Sequence, residues 1–159
     1  TRDRGQQERD GLERIELLRG ASSVLYGGAA PGGIINSVSK RPTLDTLREV
    51  NVEYGSFSRR QTSAGFSGKL TEDGEWSYRL TGLLRDSDTF IDRVPDNRAF
   101  IAPALTWRPS AATSLTVLGQ YKKTESKYIY GFSPFGTTKY SANGTVPRSR
   151  FFGEPADRY

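Results

Sequence analysis

Trp76-Ser77-Tyr78-Arg79-Leu80-Thr81-Gly82-Leu83-Leu84-Arg85 is the stretch on which the fold class turns. In an extended chain, side chains point alternately to opposite faces. Trp76, Tyr78, Leu80 and Leu84 then share one face and Ser77, Arg79, Thr81 and Arg85 the other, with Leu83 as the exception. Period two with one apolar side predicts a strand that buries or greases a single face. The same alternation recurs on both sides of it. Val50, Val52 and Tyr54 oppose Glu49, Asn51 and Glu53, and Thr62, Ala64, Phe66 and Leu70 oppose Gln61, Ser63, Ser67 and Lys69. Further on, Ile101, Leu105 and Trp107 oppose Ala102, Ala104 and Thr106, with Phe100 off pattern. Leu115, Val117 and Tyr121 oppose Thr116, Gln120 and Lys122, with Leu118 off pattern. The expectation is about five consecutive amphipathic strands in an antiparallel meander.

Each run spans about eight to ten residues. At roughly 3.3 Å per residue and a tilt near 40°, such a run approaches or covers the roughly 25 Å apolar band of an outer membrane. The connections alternate in length. Thr71 to Gly74 and Pro109 to Thr113 are short, whereas Asp86 to Asn97 and the segment after Thr124 are long. Short turns on one side and long loops on the other are the habit of transmembrane barrels, although the tight link at Ser56 to Ser58 falls on the long-loop side. Trp76 and Trp107 flank the short turns, and Tyr54 and Tyr121 end strands at the opposite rim, all four on the apolar face. Rings with an apolar body and a polar edge belong at headgroup level, so these four are expected to form a membrane girdle. The alternative is a soluble β-sandwich with the same rings between its sheets. Pro103, inside the fourth run, cannot donate to a ladder and calls for a local bulge.

Composition narrows the chemistry. The 159 residues are only 35% hydrophobic, with 17 Gly and 11% aromatic, and they contain no Cys, Met or His. Disulfides, thiolate metal sites and histidine general bases are thereby excluded. A net charge of +5 is spread among 18 Asp and Glu with no basic run, so no nucleic-acid partner is expected. No run of about 18 apolar residues is present, which argues against a transmembrane helix and is neutral towards a barrel. Thr1 begins the chain without a signal pattern and Tyr159 falls in a turn-rich stretch. The chain therefore reads as a fragment.

The first forty residues are organised differently. Ile15 and Leu17 alternate with Arg14 and Glu16 up to Gly20, predicting a strand; Ser22 or Ser23 can cap a helical turn carrying Val24 and Leu25; and Ile34 to Val38 predicts a second strand, closed by Arg41-Pro42. Leu12-Glu13-Arg14-Ile15-Glu16-Leu17-Leu18-Arg19-Gly20, Ser22-Ser23-Val24-Leu25-Tyr26-Gly27 and Pro31-Gly32-Gly33-Ile34-Ile35-Asn36, running on to Lys40-Arg41-Pro42, resemble in this order the end of the plug of TonB-dependent outer-membrane receptors. Ser39-Lys40-Arg41-Pro42, the stretch Ile101 to Pro109, and Pro147-Arg148-Ser149-Arg150-Phe151 are similar to the ferric-siderophore branch. The resemblance implies a mainly β chain in which residues 1–42 are the C-terminal part of an α+β plug domain. Residues 43–159 would be the N-terminal part of a transmembrane β-barrel, an incomplete barrel with a long extracellular loop from about residue 124. It further implies the outer membrane of a Gram-negative bacterium, contact with its lipid, a plug inside a barrel of about 22 strands, and active uptake of a ferric siderophore driven through TonB. On this resemblance the energy-coupling segment would lie outside these 159 residues.

Rival motifs fail on spacing. Gly27 to Gly33 lacks the Gly-Lys-Ser/Thr ending of a phosphate loop, so Gly27, Gly28, Gly32 and Gly33 are expected to form a close-packed plug turn. Asp86, Asp88, Asp92 and Asp96 lack calcium-loop spacing, Asn143-Gly144-Thr145 reads as a turn, and Glu13 and Glu16 fall on opposite faces of a regular strand. Neither a catalytic residue nor a metal or cofactor held by protein side chains is expected. A ferric siderophore as transported ligand fits exposed rings beside cations, so Tyr128, Tyr130, Phe132, Arg148 and Arg150 are the expected substrate contacts. Receptors for cobalamin or an oligosaccharide, and a passive porin or adhesive barrel, are the rival functions.

Overall fold

A computed structural model describes residues 11–18, 34–127 and 146–153. Two compact units account for them. One holds residues 11–18, 34–49, 64–82 and 101–121, and the other residues 50–63, 83–100, 122–127 and 146–153.

Strands β1 (Leu12–Leu18) and β2 (Ile34–Ser39) pair antiparallel, with Ile15 opposite Ser37 and Leu17 opposite Ile35. The register slips between Leu12 and Arg14, so Glu13 is an extra residue with no partner across the ladder. That slip changes the parity on which Glu13 and Glu16 were expected to face apart. Arg14 reaches both carboxylates, at 2.7 Å from Glu16 and 3.5 Å from Glu13. Arg14, and then the Asn36 amide, hold the Glu16 carboxyl below the usual glutamate range. The cluster lies largely at the surface and adds little to stability. The helical turn expected at Ser22 or Ser23 and the Asn143 triplet lie outside the described residues.

The remaining strands form one sheet: β3 (Leu47–Tyr54), β4 (Arg60–Lys69), β5 (Trp76–Asp86), β6 (Asn97–Ser110), β7 (Thr113–Leu118) and β8 (Tyr121–Glu125). Neighbours run in sequence order from β3 to β7, and β8 returns to β6. The Gly55–Arg59 turn closes with Phe57 and Ser58 both left-handed, at φ 61° and 57°. This mirror-image two-residue turn matches strand twist. In the Thr71–Gly74 turn, Asp73 accepts from the Thr71 hydroxyl (2.6 Å) and the Glu75 N–H (3.0 Å). Gly74 supplies a φ of 75°.

The faces are inverted relative to a soluble sheet. Gln61, Ser63, Ser67, Ser77, Thr81 and Thr106 are buried, while Val50, Val52, Leu84, Ile101 and Val117 are exposed. Outward pairs such as Leu105 with Val117 and Trp107 with Leu115 alternate with the inward pair Thr106 and Thr116, whose hydroxyls lie 2.9 Å apart. A strand wall with a polar interior and a lipid-facing exterior has this pattern. Two of the three residues off the sequence pattern are explained here, while Leu118 is exposed. Leu83 and Phe100 fall on the inward face, and with Val94 and Ala104 they are the buried apolar side chains among the described residues.

The fifth run differs from expectation, being broken into β7 and β8 at Gly119–Gln120. Ala104 pairs with Leu118, which puts Gly119 opposite Pro103. Gly119 N–H donates to Pro103 O at 2.9 Å. The reciprocal bond cannot form because proline has no N–H. A Cβ at Gly119 would stand 3.2 Å from Pro103 Cγ. Proline's disruption is thus taken up by the partner strand.

Candidate functional site

Within the second unit, β4, β5 and β6 present inward polar side chains at one level. Gln61 Oε1 accepts from Arg59 (2.9 Å) and from Arg85 (2.7 Å). Arg85 also donates to Asp96 at 3.1 Å, and Arg98 stands 3.6 Å from the same carboxylate. Gln61 is buried and the guanidinium side chains of Arg85 and Arg98 are nearly so, which makes this a tied cluster and no solvated fringe. Sequence reasoning missed it. Its signal was the presence of long polar residues on the inward parity of three successive strands, but nothing local states that they meet.

The loops of this unit are knit together. Asp88 N–H donates to Phe57 O (2.9 Å), Asp92 N–H to Ser149 O (2.7 Å), and the Ser149 hydroxyl to the Asp92 carboxylate (3.2 Å). Lys127 lies 5.7 Å from the centre of the Phe151 ring. Segment 146–153, which carries the expected contacts Arg148 and Arg150, is therefore held against the Ser87–Asp96 loop with both arginines exposed. The expected contacts Tyr128, Tyr130 and Phe132, and the plug-turn glycines Gly27, Gly28, Gly32 and Gly33, lie outside the described residues. The aspartates once weighed as a calcium site go separate ways, Asp96 to arginines and Asp92 to Ser149. No metal-binding group of carboxylates exists among the described residues.

Of the four expected girdle rings, Tyr54, Trp107 and Tyr121 are exposed and Trp76 is partly covered. Within the first unit Trp76 and Trp107 stack, with centroids 5.9 Å apart and planes at 22°. In the same unit Ser67, fully buried, joins β4 to the segment that follows β2. Its hydroxyl donates to Tyr78 O (2.9 Å) and accepts from Thr43 N–H (3.1 Å). This contact was also missed, since Ser67 looks like every other serine on its face.

Comparison with known proteins settles what such a chain is related to. It is 45% identical over 134 residues to the ferrichrome outer membrane transporter/phage receptor of Escherichia coli, a match covering 84% of this chain and 18% of that protein. It is 33% identical over 146 residues to the metal-pseudopaline receptor CntO of Pseudomonas aeruginosa, covering 92% of this chain and 20% of that protein. The pyoverdine outer membrane receptor FpvA of P. aeruginosa, solved with pyoverdine bound, superposes with a TM-score of 0.71 at 28% identity, over 74% of this chain and 17% of that one.

The chain matches part of the TonB-dependent outer-membrane receptors. It spans about a fifth of the length of the curated relatives it matches. No family profile matches it. The names of the relatives and neighbours place the chain in the outer membrane of a Gram-negative bacterium, and its antiparallel strands fit an incomplete barrel. The relatives are transport receptors and not enzymes.

Proposed function

We propose that the receptor carrying this chain takes up ferric siderophores by active transport powered through TonB. The observation that carries the reading is the inverted wall joined to a β1–β2 hairpin in one chain. That combination is supported by 45% identity to a ferrichrome transporter. Residues 1–42 are then the end of a plug and residues 43–159 the start of a barrel. Tyr54, Trp76, Trp107 and Tyr121 are its membrane girdle, and Gly27, Gly28, Gly32 and Gly33 the plug turn that approaches the wall. The loop residues Tyr128, Tyr130, Phe132, Arg148 and Arg150 receive the chelate from outside. Rings and guanidinium groups suit a chelate whose own oxygens already fill the iron coordination shell, so no protein ligand to iron and no catalytic residue is required.

The test uses cells lacking their own siderophore receptors, supplied with the full receptor. Uptake of radiolabelled iron as ferrichrome and as ferripyoverdine is measured with and without TonB. Accumulation of either chelate only when TonB is present is the expected outcome. Accumulation of both without TonB would return the chain to the passive barrels. The metal-pseudopaline relative favours a second reading, a chelate of another metal, which the same cells report with pseudopaline carrying a labelled metal other than iron.

A further inference from the structure

Within the first unit, two neighbouring stretches meet the wall in opposite ways. The polar contacts described for the β1–β2 hairpin, such as Asn36 to Glu16, run within or between its two strands. Where its ends come near the wall, Gly11, Ser39 and Lys40 border a cavity of about 200 Å³ with Thr81, Ala104 and Gln120. Thr81 Oγ1 is buried there without a partner. A void lined by an unsatisfied hydroxyl forfeits contacts there.

Three residues on, the chain is bolted down. Thr43 N–H donates to Ser67 Oγ at 3.1 Å, and the two hydroxyl oxygens are also 3.1 Å apart. Ser67 spends its own proton on Tyr78 O, so one buried oxygen ties the segment, β4 and β5 together. Arg79 reaches the carbonyl of Arg41 at 3.4 Å. Gly68 is small where Thr46 passes: a Cβ there would be 3.6 Å from Thr46 Oγ1. Leu44 lies against Gly74 in the β4–β5 turn, 3.6 Å from the Cβ position.

We propose that Ser67 is a positioning residue that fixes segment 41–46 to the wall, and that this segment stays docked as substrate passes. The inference rests on the transport reading for its second half only, and the experiments separate the two.

Hydrogen exchange of the purified full receptor in rising urea tests the docking without any substrate. Amides of residues 43–46 are expected to exchange together with those of β4 and β5, after those of β1 and β2. Exchange together with the hairpin overturns the proposal. Ser67→Ala is expected to speed exchange at Thr43 by roughly tenfold, the loss of one hydrogen bond, and Ser67→Thr to restore part of it. No change at Thr43 in Ser67→Ala also overturns it. For movement, Thr43→Cys with Ser67→Cys replaces two touching hydroxyls by thiols that can form a disulfide. Ferrichrome uptake by the oxidised variant is expected to match that of the same variant reduced. Loss on oxidation with recovery on reduction means the segment must undock, which refutes the bolt. Wild-type receptor that transports no chelate counts against the transport reading and leaves the exchange result to decide the docking.

Discussion

Leu80→Arg in the full receptor separates a lipid-covered face from a wet one by magnitude alone. Leu80 is 38% exposed in the structure, and at such a position in a soluble protein the change costs within about 0.5 kcal/mol. Under lipid the cost depends on depth. Four residues separate Leu80 from the Trp76 rim, about 13 Å along the strand, or about 10 Å of height at a tilt near 40°. That is close to the middle of a band roughly 25 Å tall, where arginine costs about 2–4 kcal/mol. Leu105 lies two residues from the Trp107 rim, about 5 Å in height, so Leu105→Arg is expected to cost less, nearer 1–2 kcal/mol. The assay is urea unfolding of the receptor in phospholipid vesicles, followed by tryptophan fluorescence, with the fraction folded in cells read by heat-sensitive gel mobility. A Leu80→Arg protein within about 0.5 kcal/mol of wild type, or one no worse than Leu105→Arg, would refute the assignment of this face to lipid.

Other expectations concern packing, the turn and the loop. Gly119→Val, driving side chain into Pro103, is expected to lower stability by about 1–3 kcal/mol, and Pro103→Ala to recover most of it, both read from the same unfolding curves. Trp76→Ala and Trp107→Ala, singly and together, should give a coupling of about 0.5–1.5 kcal/mol; additive effects would mean the stack contributes nothing beyond area. The Asp73 carboxyl is held below the usual aspartate range by the Thr71 hydroxyl and then by the Glu75 N–H. Its contribution is therefore complete above about pH 4 and is lost as pH falls through the lower folded value. Protection of the Glu75 amide should follow that course, and Asp73→Asn should flatten it. Truncating Tyr128, Tyr130 and Phe132 to Ala is expected to weaken binding of ferric chelate at the cell surface by tenfold or more, at about 0.5–1.5 kcal/mol for each lost aromatic contact. Unchanged affinity assigns those rings to packing.

Sequence pattern carried the wall further than the site. Period-two alternation depends only on each strand's own residues, so β3 to β6 and the hairpin strands were legible one at a time. The break in the fifth run was not, because Pro103 announces a missing donor without saying where the deficit falls. Register decides that, and register is a property of the pair of strands. Likewise Ser67 and Thr43 are 24 residues apart and share no local pattern. Gln61, Arg85, Asp96 and Arg98 come from three strands and a loop whose relative heights no single stretch specifies. Leu83 and Phe100 were visible as exceptions, but only the inward face showed that exceptions are where an otherwise polar interior keeps its apolar contacts.

The pairing of Pro103 with Gly119 also has an evolutionary consequence. A side chain at position 119 meets the proline ring, while replacing the proline alone would restore an N–H donor opposite a residue whose ladder is already displaced. Neither position can drift freely while the other stays. The two therefore form one heritable unit on separate strands, and descendants of this receptor should keep both or exchange both, with the intermediate single changes rare.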